Sequence, residues 1–187
     1  GRPVRPGDEH ETLRGIRRSP LYETLKARGA VYGSRAGWER PNWFAPKGEA
    51  AEDKPAFDRA RTNWFQHVGE EHRAIREGVA LIDQTSFAKF EIVGPHALQA
   101  LQRLAVSDMN KAVGSTIYTQ LCNAKGGIEC DLTISRIGQE RFYFVTGSAF
   151  GTHDRHWIES HLRRDAEAQI VDVTSARAVI NICGPKS

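Results

Sequence analysis

The sequence predicts an α+β protein in which an antiparallel sheet is flanked by helices. Three strand candidates follow one another at 115–122, 128–137 and 141–147, and hairpin-sized connections join them. Other segments show the 3.6-residue spacing of amphipathic helices. Helices interleaved with antiparallel hairpins are typical of the α+β class.

The first third of the chain predicts one helix and an ordered, irregular arm. Ser19 and Pro20 are typical of a helix N-terminus, and Gly29 is typical of its end. The segment 33–55 is rich in Gly and Pro, which excludes long regular structure. It also carries Trp38, Trp43 and Phe44. Because buried aromatic rings contribute a large apolar area, we expect this arm to pack on another surface.

From residue 67 onward, helices and strands alternate in a domain-like pattern. The helix over 70–77 ends at Gly78, and Gly94-Pro95 opens a helix with an apolar face. That face carries Leu98, Leu101, Leu104 and Ala105. The remaining expected elements are strands at 79–83, 89–93, 170–174 and 178–183 and a helix over 152–164.

The end of the chain repeats an earlier arrangement. A strand followed by Gly94-Pro95 leads into a helix, and a second strand is followed by Gly184-Pro185 two residues before the chain stops. A helix with Pro in its first turn should continue. We therefore interpret the chain as a piece of a longer protein, with a natural terminus as the alternative.

Composition and charge exclude several classes of protein. The net charge is +3 and the pI is about 8.9, which is too mild to indicate a nucleic-acid partner. No apolar run approaches the roughly 20 residues that span a bilayer, and no secretory signal opens the chain. Three cysteines without a CxxC pair favour reduced thiols. We expect a soluble intracellular protein without membrane or nucleic-acid partners.

The hairpin candidate 116–135 carries the most specific chemistry. Glu129, Asp131, Thr133 and Ser135 share one strand face because side chains alternate along a strand. A four-residue loop over 123–126 would place Tyr118 opposite Asp131, and Leu121 opposite Ile128. The plain alternative is a strand with one solvated face. Gly126-Gly127 favours tight backbone geometry or a close ligand.

This hairpin resembles a known family. YTQLCNAKGGIECDL is similar to the signature Y-x-x-x-x-N-x-x-G-G-I-x-D-D-L of the glycine-cleavage T-proteins, which are folate-binding aminomethyltransferases. The likeness continues through GVALIDQTSFAKFEIVGPHALQALQRLAVSDM, VTGSAFGTHDRHWI and GPKS. It implies a T-protein fold, truncated here, over residues 67–187.

The segment SPLYETLKARGAVYGSRAGWERPNWFAP resembles the linker of the flavin-dependent sarcosine and dimethylglycine dehydrogenases. In those enzymes the linker joins a flavin domain to a T-protein-like half. The resemblance implies that residues 1–66 are a linker after an absent FAD domain. Residues 67–187 would then be the N-terminal portion of the folate-binding domain.

The resemblance also implies a reaction and its residues. A flavin (FAD) oxidises an N-methyl amine such as sarcosine or dimethylglycine, and tetrahydrofolate captures the one-carbon unit. Asp131 matches the family's catalytic carboxylate beside the reactive folate nitrogen. Tyr118, Thr133, Val145 and Gly147 match positions that line the folate site. The implied partners are the amine, the folate and an upstream flavin domain, in bacterial cytoplasm or mitochondrial matrix.

The chain departs from the T-protein pattern at two positions. The family's pair of adjacent acids is Cys130-Asp131 here, and Gly147 stands where the T-proteins have Asn. Folate contacts identical to those of the T-proteins are therefore not implied. The isolated chain is expected to be inactive and to bind folate weakly, since the later parts of the family's pocket are absent.

Other functions stay open beside the leading one. The chain could be a stand-alone aminomethyltransferase, or a non-catalytic scaffold that docks a flavin domain. A metal site is not predicted, because His153, His156 and His161 lack the i, i+4 spacing that places two ligands on one helix face. No nucleophile elbow is present, and a single-strand nucleic-acid arm around Trp38 and Trp43 is disfavoured.

Overall fold

The computed structural model describes residues 11–53, 61–162 and 168–187. The chain forms two compact units, one comprising Gly1–Ser86 with Ala178–Ser187 and the other Phe87–Arg177. The helices of the described residues are α1 (Tyr22–Ala27), α2 (Phe65–Glu77), α3 (Ala97–Leu104) and α4 (Gly151–His161). The strands are β1 (Ala30–Arg35), β2 (Trp38–Phe44), β3 (Ala80–Asp83), β4 (Ala88–Val93), β5 (Thr116–Cys122), β6 (Ile128–Gly138), β7 (Arg141–Thr146), β8 (Gln169–Asp172) and β9 (Ile180–Cys183).

The unit Phe87–Arg177 is built on a five-stranded sheet in the order β5-β6-β7-β4-β8. Each neighbouring pair of these strands is antiparallel, which confirms the predicted α+β class. One face of the sheet carries the core, where Phe90, Ile92 and Phe144 are almost fully buried. Helices α3 and α4 cover this face through Leu101 and Ile158.

The predicted elements of this unit are present with shifts of a few residues. Helix α3 begins at Ala97 rather than at Pro95, and the expected apolar face is buried at Leu101 and Leu104. Gly94 has φ of 134°, a backbone conformation that favours glycine and turns the chain from β4 toward α3. Hydrophobic periodicity therefore predicts the helices and strands correctly wherever one face of the element is buried.

The expected irregular arm is a β-hairpin in the structure, so that prediction was wrong. Strands β1 and β2 pair antiparallel and are joined by Ala36 and Gly37, whose φ values are 51° and 78°. Two central residues with positive φ match the right-handed twist of a tight hairpin. Pro41 had argued against a strand, but it lies beside the register shift, where a ladder is already interrupted.

The hairpin is ordered by aromatic packing, as expected. Trp43 is 2% exposed and packs with Val31 on β1. It also packs with Trp64, which precedes α2, and with Val68 on α2. The ring of His67 on α2 stacks on Trp43 at a centroid separation of 5.5 Å. The hairpin is therefore held to α2 within its own unit.

The same unit contains a second sheet made of β3 and β9, which pair antiparallel with Leu81 opposite Ile182. Both strands were expected, but their pairing across a hundred residues of sequence was not. The unit therefore combines residues from both sides of the predicted boundary at 66/67. That boundary concerns the domains that the resemblance implies, and it stays a prediction.

Two helices of this unit differ from their predicted limits. Helix α1 begins at Tyr22 because the Ser19 side chain accepts the Leu21 amide at 3.0 Å and bonds to the Asp83 carboxylate. Helix α2 begins at Phe65, before the predicted start, and ends at Gly78 as expected. Within the described ranges, no helix combines the length and the apolar character needed to cross a bilayer.

Candidate functional site

The hairpin β5–β6 displays the predicted acid on the sheet face opposite the core, but in a different register. Gln120 lies opposite Asp131, and Tyr118 lies opposite Thr133. The predicted pairing of Tyr118 with Asp131 is wrong by two residues. A slip of two keeps side chains on their own faces, so the predicted faces of Asp131, Thr133 and Ser135 are unchanged. Glu129, at the end of the strand, instead reaches His153 on α4.

The side chain of Asn123 explains the shift. Its Oδ1 atom accepts the amides of Lys125 at 2.9 Å and Gly127 at 3.0 Å, which closes a loop longer than the one expected. Its Nδ2 atom donates to Glu129 at 2.7 Å. The register shifts there, with Leu121 opposite Cys130 and the next residue opposite Ile128, which leaves Glu129 as the extra residue of a β-bulge.

Asp131 is exposed and has two polar neighbours on its own face. The amide of Gln120 donates to its Oδ1 atom at 3.1 Å. The phenol of Tyr118, which is 64% exposed, is the diagonal neighbour of this carboxylate. Interaction with the carboxylate, aided by partial desolvation, raises the pKa of Tyr118. The predicted phenol–carboxylate pair is thus present, as a diagonal pair across the two strands.

Three of the expected cofactor-contact residues form one row across the sheet. Tyr118 lies opposite Thr133, Thr133 opposite Val145, and Val145 opposite Lys89. Thr133 and Val145 are half-buried. Gly147, the fourth, follows β7, and alternation places it on the same side as Val145. A Cβ at Gly147 would lie 3.1 Å from the ring of Phe150, so a side chain there would crowd that ring.

An ion-pair network around the buried Glu91 lies at the other end of this face, and sequence reasoning missed it. Glu91 is buried and accepts hydrogen bonds from Arg141 and Arg177, each at 2.6 Å. The Lys89 ammonium donates to the backbone oxygen of Arg177 at 2.8 Å. Arg177 also lies over the ring of Tyr143, 5.4 Å from its centroid. The signal for this network was the alternation of charged and apolar residues in the interior strand KFEIV.

Cys130 and Asp131 are adjacent in sequence but face opposite sides of the sheet. Cys130 is 1% exposed and lies in the core cluster. Burial, with the neighbouring Asp154 carboxylate, raises the pKa of its thiol to about 12. A thiol that stays protonated is a poor nucleophile, which agrees with the expectation from sequence. Only the second position of the family's acid pair therefore reaches the candidate face.

The sequence profile of the GCVT N-terminal domain matches residues 21–187. The chain belongs to this family. The match begins inside the segment predicted as a linker, and it confirms the resemblance that the hairpin motif carried.

This chain has curated relatives that include enzymes and a regulatory protein. It is 40% identical to a 4-methylaminobutanoate oxidase (formaldehyde-forming) from Paenarthrobacter nicotinovorans over 97% of the chain. It is 34% identical to the mitochondrial pyruvate dehydrogenase phosphatase regulatory subunit of Mus musculus over 97% of the chain. It is 35% identical to the mitochondrial dimethylglycine dehydrogenase of Mus musculus over 89% of the chain. The chain spans 22%, 21% and 19% of these proteins, respectively.

A solved structure confirms the predicted fold. The glycine cleavage system aminomethyltransferase T from Bartonella henselae superposes with a TM-score of 0.71 at 24% identity. The similarity covers 92% of this chain and 42% of that one. The T-protein fold is therefore shared. The structure brings the five predicted site residues onto one face of one sheet: Asp131, Tyr118, Thr133, Val145 and Gly147. Their roles in catalysis and folate binding stay predictions.

Proposed function

We propose that this chain supplies the folate side of a flavin-dependent N-methyl amine dehydrogenase of the sarcosine or dimethylglycine type. Membership of the GCVT family supports a folate-binding role. The names of two relatives, a methylaminobutanoate oxidase and a dimethylglycine dehydrogenase, support an N-methyl amine as the substrate class. The bacterial source of the first relative and the mitochondrial name of the second support bacterial cytoplasm or mitochondrial matrix.

The observation that carries the proposal is the Tyr118–Asp131 pair on the open face of the sheet. Between a phenol and a carboxylate, the phenol O–H is the group that can donate, and the neighbouring carboxylate raises the pKa of Tyr118. Asp131 is then the acceptor. A reduced pterin presents N–H groups, which a carboxylate can accept, and a flat ring, which the half-buried Thr133 and Val145 can support.

The proposed chemistry needs one proton to be removed. Capture of a methylene iminium by tetrahydrofolate would replace two N–H bonds by two N–C bonds to the bridging carbon. Of the two protons that would leave the folate, one would go to the departing amine. Asp131 would accept the second proton directly. General-base help of this kind contributes about 10²–10⁴-fold.

The flavin would supply the oxidation of the amine. It would be bound by a separate FAD-binding domain and not by the described residues. All strand pairings between named strands in the described part of the chain are antiparallel. Those residues therefore contain no parallel βαβ unit of the dinucleotide-binding type. The proposed partners of this chain are accordingly an FAD-binding domain, the amine and tetrahydrofolate.

The test is Asp131→Asn in the protein at its natural length. We expect formation of methylenetetrahydrofolate to fall by about 10²–10⁴-fold, while the rate of flavin reduction by the amine is unchanged. Glu140→Gln, an exposed carboxylate in the turn between β6 and β7, is the matched control and should alter neither rate. An unchanged folate product in Asp131→Asn would refute the assigned role.

Two alternative functions give different results in the same experiments. A stand-alone aminomethyltransferase would form the folate product without any flavin. A non-catalytic scaffold, favoured by the relationship to a phosphatase regulatory subunit, would bind no folate at all. Calorimetric titration of the wild-type protein with tetrahydrofolate separates that case from the other two.

The 187-residue chain by itself is proposed to bind folate weakly and to be inactive. The exposure of Tyr118 and Asp131 supports this, because a ligand on an open sheet face loses little contact with water. Micromolar binding of tetrahydrofolate to this chain would overturn the proposal.

A further inference from the structure

Three potential metal ligands converge on the core side of the sheet, away from the candidate folate face. Cys130 comes from β6, and His153 and Asp154 come from the first turn of α4. One ligand atom from each, Sγ, a ring nitrogen and a carboxylate oxygen, lies within 4.8 Å of the other two. Cys130 is far in sequence from the adjacent pair His153 and Asp154, so spacing alone could not indicate this group.

The two buried members of the group lie close together. Cys130 and Asp154 are each 1% exposed, and the Sγ atom of Cys130 lies within 4.8 Å of a carboxylate oxygen of Asp154. Asp154 accepts the hydroxyl of Thr146 at 2.5 Å through Oδ2, and its Oδ1 atom lies 2.9 Å from Nδ1 of His153. The carboxylate is thus held in place by Thr146 and His153.

His153 links the buried pair to solvent. Its side chain is 52% exposed, and its Nε2 atom lies 3.6 Å from the carboxylate of Glu129. The half-exposed imidazole offers an entry path for an ion, and the nearby acid adds negative potential at the entrance. A site closed on one side and open on the other leaves room for a water as a further ligand.

We propose that Cys130, His153 and Asp154 bind a zinc-type divalent cation. Thiolate, imidazole and carboxylate together are ligands that Zn²⁺ prefers, whereas Mg²⁺ and Ca²⁺ prefer oxygen ligands alone. The thiolate and the carboxylate would balance the charge of the ion in a buried setting. Binding breaks the S–H bond of Cys130, releases that proton to solvent and forms the metal–sulfur bond.

The structural consequence is local. A bound ion would tie the N-terminal turn of α4 to β6, directly behind the strand that carries Asp131. Without an ion, Asp154 keeps its hydrogen bonds with Thr146 and His153, and Cys130 is a free buried cysteine. The ion-bound and ion-free arrangements therefore differ in the metal content that can be measured.

The first test is the metal itself. The protein at its natural length is freed of metal with a chelator and titrated with Zn²⁺ against a chromophoric competitor. We expect one high-affinity ion per chain, and Co²⁺ in its place should add a thiolate-to-metal absorption band. No bound zinc in folded protein, or Co²⁺ binding without the sulfur band, would overturn the proposal.

Matched variants locate the site. His153→Gln changes a half-exposed side chain, so it should leave the circular dichroism spectrum unchanged and weaken zinc binding by at least about tenfold, as even outer-shell changes cost roughly 10–100-fold. Cys130→Ser should abolish the sulfur band. His156→Gln on the same helix and Cys183→Ser in the other unit are controls that should bind normally. Zinc binding that survives both site variants would identify an adventitious ion only.

Discussion

Gly151 opens helix α4 at a point where the helix touches the sheet. A Cβ on this residue would lie 2.6 Å from the Cβ of Ala88 on β4 and 3.8 Å from the ring of Phe90. The first distance is far below van der Waals contact, so α4 or β4 must shift. The backbone of Gly151 is helical with negative φ, so lack of space is the reason for a glycine here.

We expect Gly151→Ala to destabilise the unit Phe87–Arg177 by about 1–2 kcal/mol. Overpacking a well-filled core costs about 1–3 kcal/mol. The better helix propensity of alanine offsets at most about 1 kcal/mol, and less in a first turn. With a urea m-value of about 2 kcal/mol/M, the unfolding midpoint should fall by about 0.5–1 M. Far-UV circular dichroism and the fluorescence of Trp157 on α4 would follow the transition.

Gly69→Ala is the matched control in a helix. Gly69 lies inside α2, and a Cβ there would meet no atom within 4 Å. This substitution should therefore stabilise its own unit by about 0.5–1 kcal/mol. The double variant Gly151→Ala/Ala88→Gly removes one of the two clashing methyl groups. It should be more stable than the sum of the single effects by about 1–2 kcal/mol. If Gly151→Ala matches the wild type, or if the two effects are additive, the packing argument is refuted.

Two further predictions concern titration. Asp131→Asn should lower the pKa of Tyr118 toward 10, because the main cause of its raised pKa is the Asp131 carboxylate. An unchanged phenolate titration at 295 nm would contradict an interaction between the two side chains. Glu39 accepts two hydrogen bonds from Arg14, which lower the pKa of Glu39 below 4.5. Since the folded pKa is depressed, this stabilisation is present above pH 4.5 and is lost as pH falls through the folded pKa. Glu39→Gln should therefore flatten the acid side of the stability curve, and parallel curves for the two proteins would contradict this.

Local patterns determined much of the fold. In β6, the alternation of Cys130, Leu132 and Ile134 with polar residues assigned both faces, and the structure confirms them. The hairpin motif around Gly126-Gly127 also identified the family. These properties follow from side-chain period and from a few adjacent residues, so they can be seen in the sequence alone.

The tertiary structure decided what depends on distant residues. The register of β5 and β6 was set by the Asn123 side chain and the bulge at Glu129, which alternation cannot detect because a shift of two preserves the faces. Glu91 on β4 is paired with Arg141 on β7 and with Arg177. These pairs form only when the chain folds and brings the three segments into contact. The sequence by itself thus specified which side chains share a face. Only folding, which brings separate segments together, specified which of them touch.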